Sequence, residues 1–174
     1  LNVSSGNCGS QKMGPEETAR VRGEEAKKAA GLLGATWHPG FSHDLEILYD
    51  LDHLRKLAAI VRGVAPDVVL THAPQDYMED HTNVCRLAVT AAFTHGMPNF
   101  KTTPSTKPYD LDVTVYHALP HSLQDPLRKQ IVPGSYVDTT DVHKLKIKSL
   151  ASHKSQQNWL HNAEVKNLTF SGKK

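Results

Sequence analysis

The spacing of apolar positions along the chain predicts three amphipathic helices before residue 95. In each of them apolar side chains recur every three or four residues, so they share one helix face. The predicted helices cover residues 15–33, 52–64 and 80–93. The first begins with Pro15 and two acidic residues, which a first helical turn favours, and Gly34 provides a natural end. Asp52 or a residue near it is expected to cap the second helix.

Short apolar runs between these helices predict strands. The run from Val68 to Thr71 is continuous and rich in β-branched residues, as expected for a strand buried on both faces of a parallel sheet. Further strands are predicted at residues 1–4, 36–41, 111–116 and 136–138, a short helical or irregular excursion at 122–132, and a last helix at 142–160. The alternation of strands and helices predicts a doubly wound (Rossmann-like) three-layer α/β sandwich with a mostly parallel sheet. We expect one domain over residues 1–161 and a polar tail over 162–174.

Composition narrows the function class. The 174 residues carry 20 Lys and Arg against 18 Asp and Glu, and this balance gives no electrostatic footprint for nucleic acid or an anionic membrane surface. No stretch approaches the roughly 20 apolar residues that a membrane span needs. The two cysteines are too few for a disulfide framework or a cysteine-based zinc site. The chain contains 11 histidines, an unusually high number, and several of them follow apolar runs.

Polar residues follow the predicted strands in three loops, at residues 5–14, 40–46 and 72–81. Ligands bind open α/β sheets outside the carboxyl ends of strands, so these loops are the candidate sites, and the third is the strongest. One interpretation makes His81 a metal ligand whose ring is oriented by Asp80 or Asp76. The alternative is that Asp80 is the N-cap of the third helix and His81 a residue of its first turn.

Other polar residues allow two interpretations each. His72, at a strand end, has either a role in the site or a packing role, and Asp44 either contacts a substrate or is solvated. Arg22 and Glu25 lie three residues apart on one helix face, so the default expectation is a surface ion pair. The segment His153 to Gln156 is polar for a helix interior and indicates a hydrogen-bond cluster or a contact at the rim of a site.

Four stretches together carry a family resemblance over residues 2–156. They are the strand and Gly-containing loop Asn2 to Ser10, the Arg22-Gly23-Glu24-Glu25-Ala26 helix that ends in Leu33-Gly34, the run Pro66 to His72 leading to Asp76 and Asp80-His81, and Val137-Asp138, Lys146 and Ser155-Gln156. In this order and spacing they resemble the LmbE-like, or PIG-L, de-N-acetylases. The second stretch is similar to the family's R-x-x-E-A helix, and the last to its V-D strand, its Lys and its terminal S-Q.

The resemblance implies a zinc hydrolase that removes acetyl groups from N-acetylglucosamine-type sugars attached to inositol, malate or lipid aglycones. The small-molecule partner would then be an amino-sugar conjugate. His81 matches the Zn²⁺ ligand that closes the family's D-H pair, and the other two ligands and the general base belong to an A-H-P-D-D-E motif. The metal in such a site lowers the pKa of water and polarises the amide carbonyl. A cytoplasmic location is expected, and a homo-oligomer is compatible with the resemblance.

Two departures from the family pattern affect this expectation. The A-H-P-D-D-E motif does not occur in the 174 residues, which begin after its place. We therefore expect the intact protein to bind metal at His81, and the chain as given to be inactive for lack of two ligands and the base. Met78 stands where many members have the first His of H-x-D-H. Because methionine cannot donate a proton, Tyr77, His121 or His117 would have to stabilise the oxyanion.

On this interpretation Asp80 and Tyr77 are catalytic, and the substrate-binding residues are Arg22, Asp44, His72, Asp76 and His121. Two alternatives come from other function classes. One is a non-catalytic α/β module that binds a phosphate at the loop of residues 6–14, although this loop has neither a G-x-G-x-x-G nor a Walker pattern. The other is a degenerate family member with a structural or oligomeric role.

Overall fold

A computed structural model describes residues 1–121 and 123–157. Within them the elements are α1 (Pro15–Leu32), α2 (Leu51–Val64), β1 (Val68–Thr71), α3 (Glu79–Phe93), β2 (Thr114–His117) and α4 (His143–Leu150). The first three helices agree with the predicted ones to within one residue at each end, and β1 agrees in full. Helices combined with a small parallel sheet confirm the α/β class.

The sheet of the described residues consists of β1 and β2, which pair in parallel from Val68↔Thr114 to Thr71↔His117. Parallel strands need a crossover connection, and α3 lies on the connecting segment, so β1, α3 and β2 form a βαβ unit. Thr71 is buried, but Val68 and Leu70 are 54% and 71% exposed. The expectation that β1 is buried on both faces is therefore wrong. Successive side chains of a strand point to opposite faces, and one face of β1 is left uncovered.

The strand predicted at 111–116 is present as β2, which begins at Thr114 and ends at His117, whereas the remaining predicted strands differ from the structure. Residues 1–4 and 36–41 form no named strand, and a single parallel bridge joins Ser4 to Ser42. Residues 136–138 are irregular, because Tyr136 and Val137 are 86% and 85% exposed and have no neighbouring strand among the described residues. The excursion at 123–132 is not helical but contains an antiparallel bridge between Gln124 and Gln130. The helix predicted at 142–160 is interrupted, because α4 ends at Leu150 and the chain is helical again at 154–157. Residues 158–160 and the predicted tail lie outside the described residues.

The chain divides into two compact units. The first contains Leu1–Asp44 and the described residues from Val137 onward, and α1 packs against α4 there. The second is Leu45–Tyr136, in which α2 packs against α3 and α3 against both strands. The buried apolar side chains of α2 and α3 include Leu54, Leu57, Ala58, Leu87 and Ala91. The single domain over residues 1–161 stays a prediction.

Local hydrogen bonds fix both ends of α2. The Asp50 carboxylate accepts from the backbone N–H of His53 at 2.8 Å, so the residue that caps the helix is a near neighbour of Asp52, as predicted. Ala65 ends the helix in the left-handed conformation, with a φ of 49°. None of the described helices is both long and apolar enough to cross a membrane.

The buried side chain of Arg62 ties α2 to the end of α3 and to the loop that follows it. Its guanidinium donates to the backbone carbonyls of Thr94 at 2.9 Å, Met97 at 2.7 Å and Thr106 at 3.1 Å. Three charge-assisted hydrogen bonds offset the cost of burying this cation. The segment between α3 and β2 is thus held in place by a residue of another helix.

Candidate active site

Three side chains meet where β1 ends and α3 begins. His72, Asp76 and His81 each bring one ligand atom to within 4.8 Å of the others. Two imidazoles and a carboxylate form a donor set that catalytic zinc sites use, with a further position open for water or substrate. This group could therefore hold a divalent metal ion. It lies at the carboxyl end of β1, the sheet edge that the sequence indicated.

Asp76 is the carboxylate that orients the His81 ring. Its side chain is 2% exposed, and its Oδ1 accepts from the Met78 backbone N–H at 3.1 Å and lies 3.0 Å from His81 Nδ1. A carboxylate on one ring nitrogen fixes the tautomer and leaves the other nitrogen, Nε2, to bind a metal. Asp80, the other candidate for this role, instead accepts from the backbone N–H of Leu45 at 2.8 Å.

His72 supports the His81 ring by stacking on it. The ring centroids are 4.2 Å apart and the planes differ by 2°. An imidazole binds a metal in its own plane, so two rings stacked face to face cannot both bind one ion unless one of them turns. Burial lowers the pKa of His72, and the nearby His81 lowers it further, while Asp76 opposes both effects. The ring Nδ1 of His117 donates to the His72 carbonyl at 2.8 Å, which fixes the backbone below the stack.

The remaining predicted residues of this region have different surroundings. Tyr77 is 63% exposed, and its ring meets His81 edge-on with centroids 5.7 Å apart. Met78 occupies the N-cap position of α3, so the alternative in which Asp80 caps this helix is wrong. Asp80 is buried in the first turn, and its catalytic role stays a prediction. His121 is exposed in the loop after β2 and is not part of the group of ligand atoms.

Arg22 and Glu25 belong to the first unit and bind different partners. Arg22 Nη2 donates to the carbonyl of Gly9 at 2.6 Å. Glu25 accepts from the backbone N–H and the hydroxyl of Ser155 at 2.9 and 2.6 Å. The expected surface ion pair between Arg22 and Glu25 is therefore wrong, because each side chain binds a partner distant in the sequence. Burial lowers the pKa of Arg22, whereas the negative charges of Asp44 and Glu25 raise it.

Asp44 organises the loop that follows the first residues of the chain. Its carboxylate accepts from the hydroxyl of Ser4 and from the Cys8 backbone N–H, the latter at 2.9 Å. Its own N–H donates to Asn7 Oδ1 at 2.8 Å. The polar residues of the 5–14 and 40–46 loops are thus joined to one another, and neither loop is merely solvated.

A cavity of about 290 Å³ in the first unit is lined by polar and aromatic side chains, among them Asn2, Ser5, Arg22, Trp37, His153 and Gln156. Arg22 Nε and Trp37 Nε1 are buried and have no hydrogen-bond partner among the described residues. Sequence reasoning did not single out Trp37. The polar segment His153 to Gln156, for which the sequence predicts a hydrogen-bond cluster or a contact at the rim of a site, contributes His153 and Gln156 to this lining.

The sequence profile of a known protein family matches the part of the chain that contains most of the candidate site residues. The family is described as PIG-L, GlcNAc-PI de-N-acetylase, and the match covers residues 1–93, slightly more than half of the 174 residues. The chain belongs to the PIG-L family. A curated relative of this PIG-L chain is the diacetylchitobiose deacetylase of Thermococcus kodakarensis, which is 28% identical over 145 residues. The alignment covers 80% of the chain and 51% of the relative, so the chain spans about half of that enzyme's length.

Solved structures share the PIG-L chain's fold. The N,N'-diacetylchitobiose deacetylase of Pyrococcus horikoshii, complexed with its inhibitor MPG, has a TM-score of 0.72 and 26% identity over 88% of the chain and 57% of that structure. GalB, the 4-carboxy-2-hydroxymuconate hydratase of Pseudomonas putida, has a TM-score of 0.69 and 27% identity over 93% and 66%. A conserved protein of Thermus thermophilus, TT1542, has a TM-score of 0.66 and 24% identity over 89% and 64%. These likenesses agree with the predicted LmbE-like fold.

Proposed function

We propose that this PIG-L family protein is a Zn²⁺-dependent hydrolase that removes the N-acetyl group from an N-acetylglucosamine-type sugar conjugate. The observation that carries the proposal is the Asp76–His81 hydrogen bond within the group of potential ligands at the end of β1. The substrate class is supported by the family and by two relatives named as diacetylchitobiose deacetylases.

Each residue of the group has a distinct part in this proposal. His81 holds the ion through Nε2, and Asp76 keeps the ring in the tautomer that makes Nε2 a ligand. Burial lowers the pKa of His72, which favours the neutral form of the ring that stacks on His81. The ion, when bound, polarises the amide carbonyl and lowers the pKa of water.

We assign Tyr77 as the residue that donates a hydrogen bond beside the ion site. Its exposed ring is nearly perpendicular to that of His81, with centroids 5.7 Å apart, and a phenol can donate to an oxygen that gains negative charge in the transition state. In the first unit, we assign Arg22 and Asp44 to the binding of polar substrate groups. The position of Arg22 in the lining of the cavity supports this assignment for Arg22.

The likeness to GalB favours a second candidate function. The sequence identity and the TM-score between the chain and GalB are close to those between the chain and the deacetylase structure. GalB, however, is named as a hydratase of a carboxylated muconate. Hydration adds water across a carbon–carbon double bond, whereas de-N-acetylation cleaves an amide. The cavity beside Arg22 suits a carboxylate as well as sugar hydroxyls. A substrate panel must therefore contain both compound classes.

Metal binding and product release test the proposal separately. Zn²⁺ affinity is measured by calorimetric titration of the protein, of His81→Ala, and of His143→Ala as a control at an exposed histidine. Acetate release is measured with N,N'-diacetylchitobiose and other N-acetylglucosamine conjugates, before and after treatment with a chelator. We expect His81→Ala, but not His143→Ala, to lose Zn²⁺ binding. Because the A-H-P-D-D-E motif is expected to supply two further ligands and the base, we expect acetate release from the intact protein that contains this motif, abolished by a chelator and restored by Zn²⁺.

Three results would contradict the proposal. The first is Zn²⁺ binding that His81→Ala leaves unchanged, which would place the metal elsewhere. The second is acetate release that is insensitive to chelation. The third is binding of sugar conjugates without release of acetate, which would favour the binding-module alternative, while turnover of a carboxylated alkene would favour a hydratase.

A further inference from the structure

Arg22 is held from two sides by segments distant in the sequence. Gly9 supplies one carbonyl acceptor at 2.6 Å. The second acceptor is Gln156, whose carboxamide oxygen, facing the guanidinium, accepts from Nη1 at 2.9 Å and from Nη2 at 2.6 Å. The opposite amide orientation would place N–H groups against N–H groups, so the chemistry of the two side chains decides the orientation.

A neighbouring contact fixes the place from which Gln156 reaches Arg22. Glu25 binds both the backbone N–H and the hydroxyl of Ser155 with its two carboxylate oxygens. Glu25 lies three residues after Arg22 on α1, so the two side chains share one side of the helix. The Arg22 and Glu25 side chains therefore bind consecutive residues, Gln156 and Ser155, of a segment 130 residues further along the chain.

The loop on the other side of Arg22 is shaped to leave room for the guanidinium. A Cβ added to Gly9 would lie 2.2 Å from Arg22 Nη2, and one added to Gly6 would lie 2.6 Å from Arg22 Cδ. Side chains at either position would displace the guanidinium. Nη1 and Nη2 are bound to fixed acceptors, whereas Nε is buried and has no partner among the described residues.

We propose that Gln156, held in place by the Glu25–Ser155 contact, is a positioning residue that sets the orientation of Arg22 in the cavity. Gln156 touches the cavity at its edge and acts through the guanidinium. Its effect on substrate rests on the proposed function, in which Arg22 binds a polar group of the sugar conjugate. Gln156 then controls how tightly substrate binds and leaves the chemical step at the metal unaffected.

Two variants of Gln156 separate its acceptor from its size. Gln156→Met keeps the length of the side chain and removes the oxygen acceptor, whereas Gln156→Glu keeps an acceptor for Arg22. Gln157→Met is the matched control, because this adjacent glutamine is exposed and donates to the carbonyl of Leu150 at 3.3 Å. Thermal unfolding of each variant verifies that it is folded.

The first readout is the ¹H–¹⁵N signal of Arg22 Nε, which reports the order of the guanidinium and does not depend on activity. The second is the split between KM and kcat for the sugar conjugate. For Gln156→Met we expect a weakened or averaged Arg22 signal and a KM that rises about threefold to tenfold, with kcat changed by less than about twofold. Gln156→Glu should restore both readouts, and Gln157→Met should change neither.

The outcomes distinguish this inference from the proposed function. An unchanged Arg22 signal in Gln156→Met, or an equal change in Gln157→Met, overturns the positioning role. A loosened Arg22 with an unchanged KM overturns its link to substrate binding. If the unaltered protein hydrolyses no N-acetylglucosamine conjugate, the proposed function fails, and the Arg22 signal alone decides whether Gln156 positions Arg22.

Discussion

Replacing Asp76 removes the group that orients His81. One oxygen of this buried carboxylate serves both the Met78 backbone N–H and His81 Nδ1, at 3.1 and 3.0 Å. Loss of such a supporting carboxylate lowers metal affinity about 10- to 100-fold, equivalent to about 1.4–2.7 kcal/mol. This agrees with the roughly 1.5–3 kcal/mol of a hydrogen bond to a charged group. We expect Asp76→Ala to lose affinity within this range, and Asp76→Asn to lose about tenfold, because it keeps an acceptor without the charge.

Competition between the protein and a chromophoric chelator measures Zn²⁺ affinity at pH 7. Glu79→Gln is the control, because it removes the same charge from an exposed residue only two positions before His81. Thermal unfolding shows whether the apo variants remain folded. The reasoning is refuted if Asp76→Ala binds Zn²⁺ as tightly as the unaltered protein. It is also refuted if Glu79→Gln weakens binding as much as Asp76→Asn, since the effect would then be general electrostatics.

Three further predictions concern stability and the cavity. Asp50→Ala should destabilise the protein by about 1 kcal/mol in urea unfolding, and Asp50→Asn by less, because Asn also caps helices. A backbone hydrogen bond lowers the pKa of Asp50 below its usual 3.8, so its stabilising effect is complete above pH 3.8 and disappears as pH falls through the folded-state pKa. Asp50→Asn should lack this pH dependence, and an identical acid profile would contradict the assignment. Arg62→Met should cost at least about 3 kcal/mol in the same assay, since it strips three carbonyls of their donor; a cost below about 1 kcal/mol would contradict this. Gly9→Ala should broaden the Arg22 Nε signal, whereas Gly14→Ala, with nothing within 4 Å of the added carbon, should not.

The helices and β1 were predictable because their signals are local. Apolar periodicity defined α1, α2 and α3, and a β-branched run defined β1. The outer strands were not predictable in the same way, because a strand depends on a neighbour that supplies hydrogen bonds. Tyr136 and Val137 have suitable side chains for a strand but no such neighbour among the described residues. The exposure of Leu70 likewise depends on what covers the sheet, which a four-residue pattern does not contain.

The candidate site was predictable in part. The loop after β1 and the position of His81 followed from the sheet-edge rule and the family resemblance. From the sequence, Asp76 and Asp80 are equal candidates for orienting the His81 ring, because both lie within five residues of His81. Both residues are buried, and the structure separates them by direction, because Asp80 accepts from the backbone N–H of the distant Leu45, whereas Asp76 faces His81. The contact of Gln156 with Arg22 depends on tertiary packing alone, which no local pattern encodes.

The hydrogen bond from His117 to the carbonyl of His72 joins the last residue of β2 to the first residue beyond β1. This hydrogen bond fixes the position of His72, the residue whose ring stacks on His81, relative to the end of β2, 45 residues further along the chain. The ligand atoms of His72, Asp76 and His81 are close together only while the strands are paired, so an ion that binds this group also favours strand pairing. Cation loading would accordingly protect the amides of this two-stranded sheet against hydrogen–deuterium exchange, and stripping the cation would loosen them.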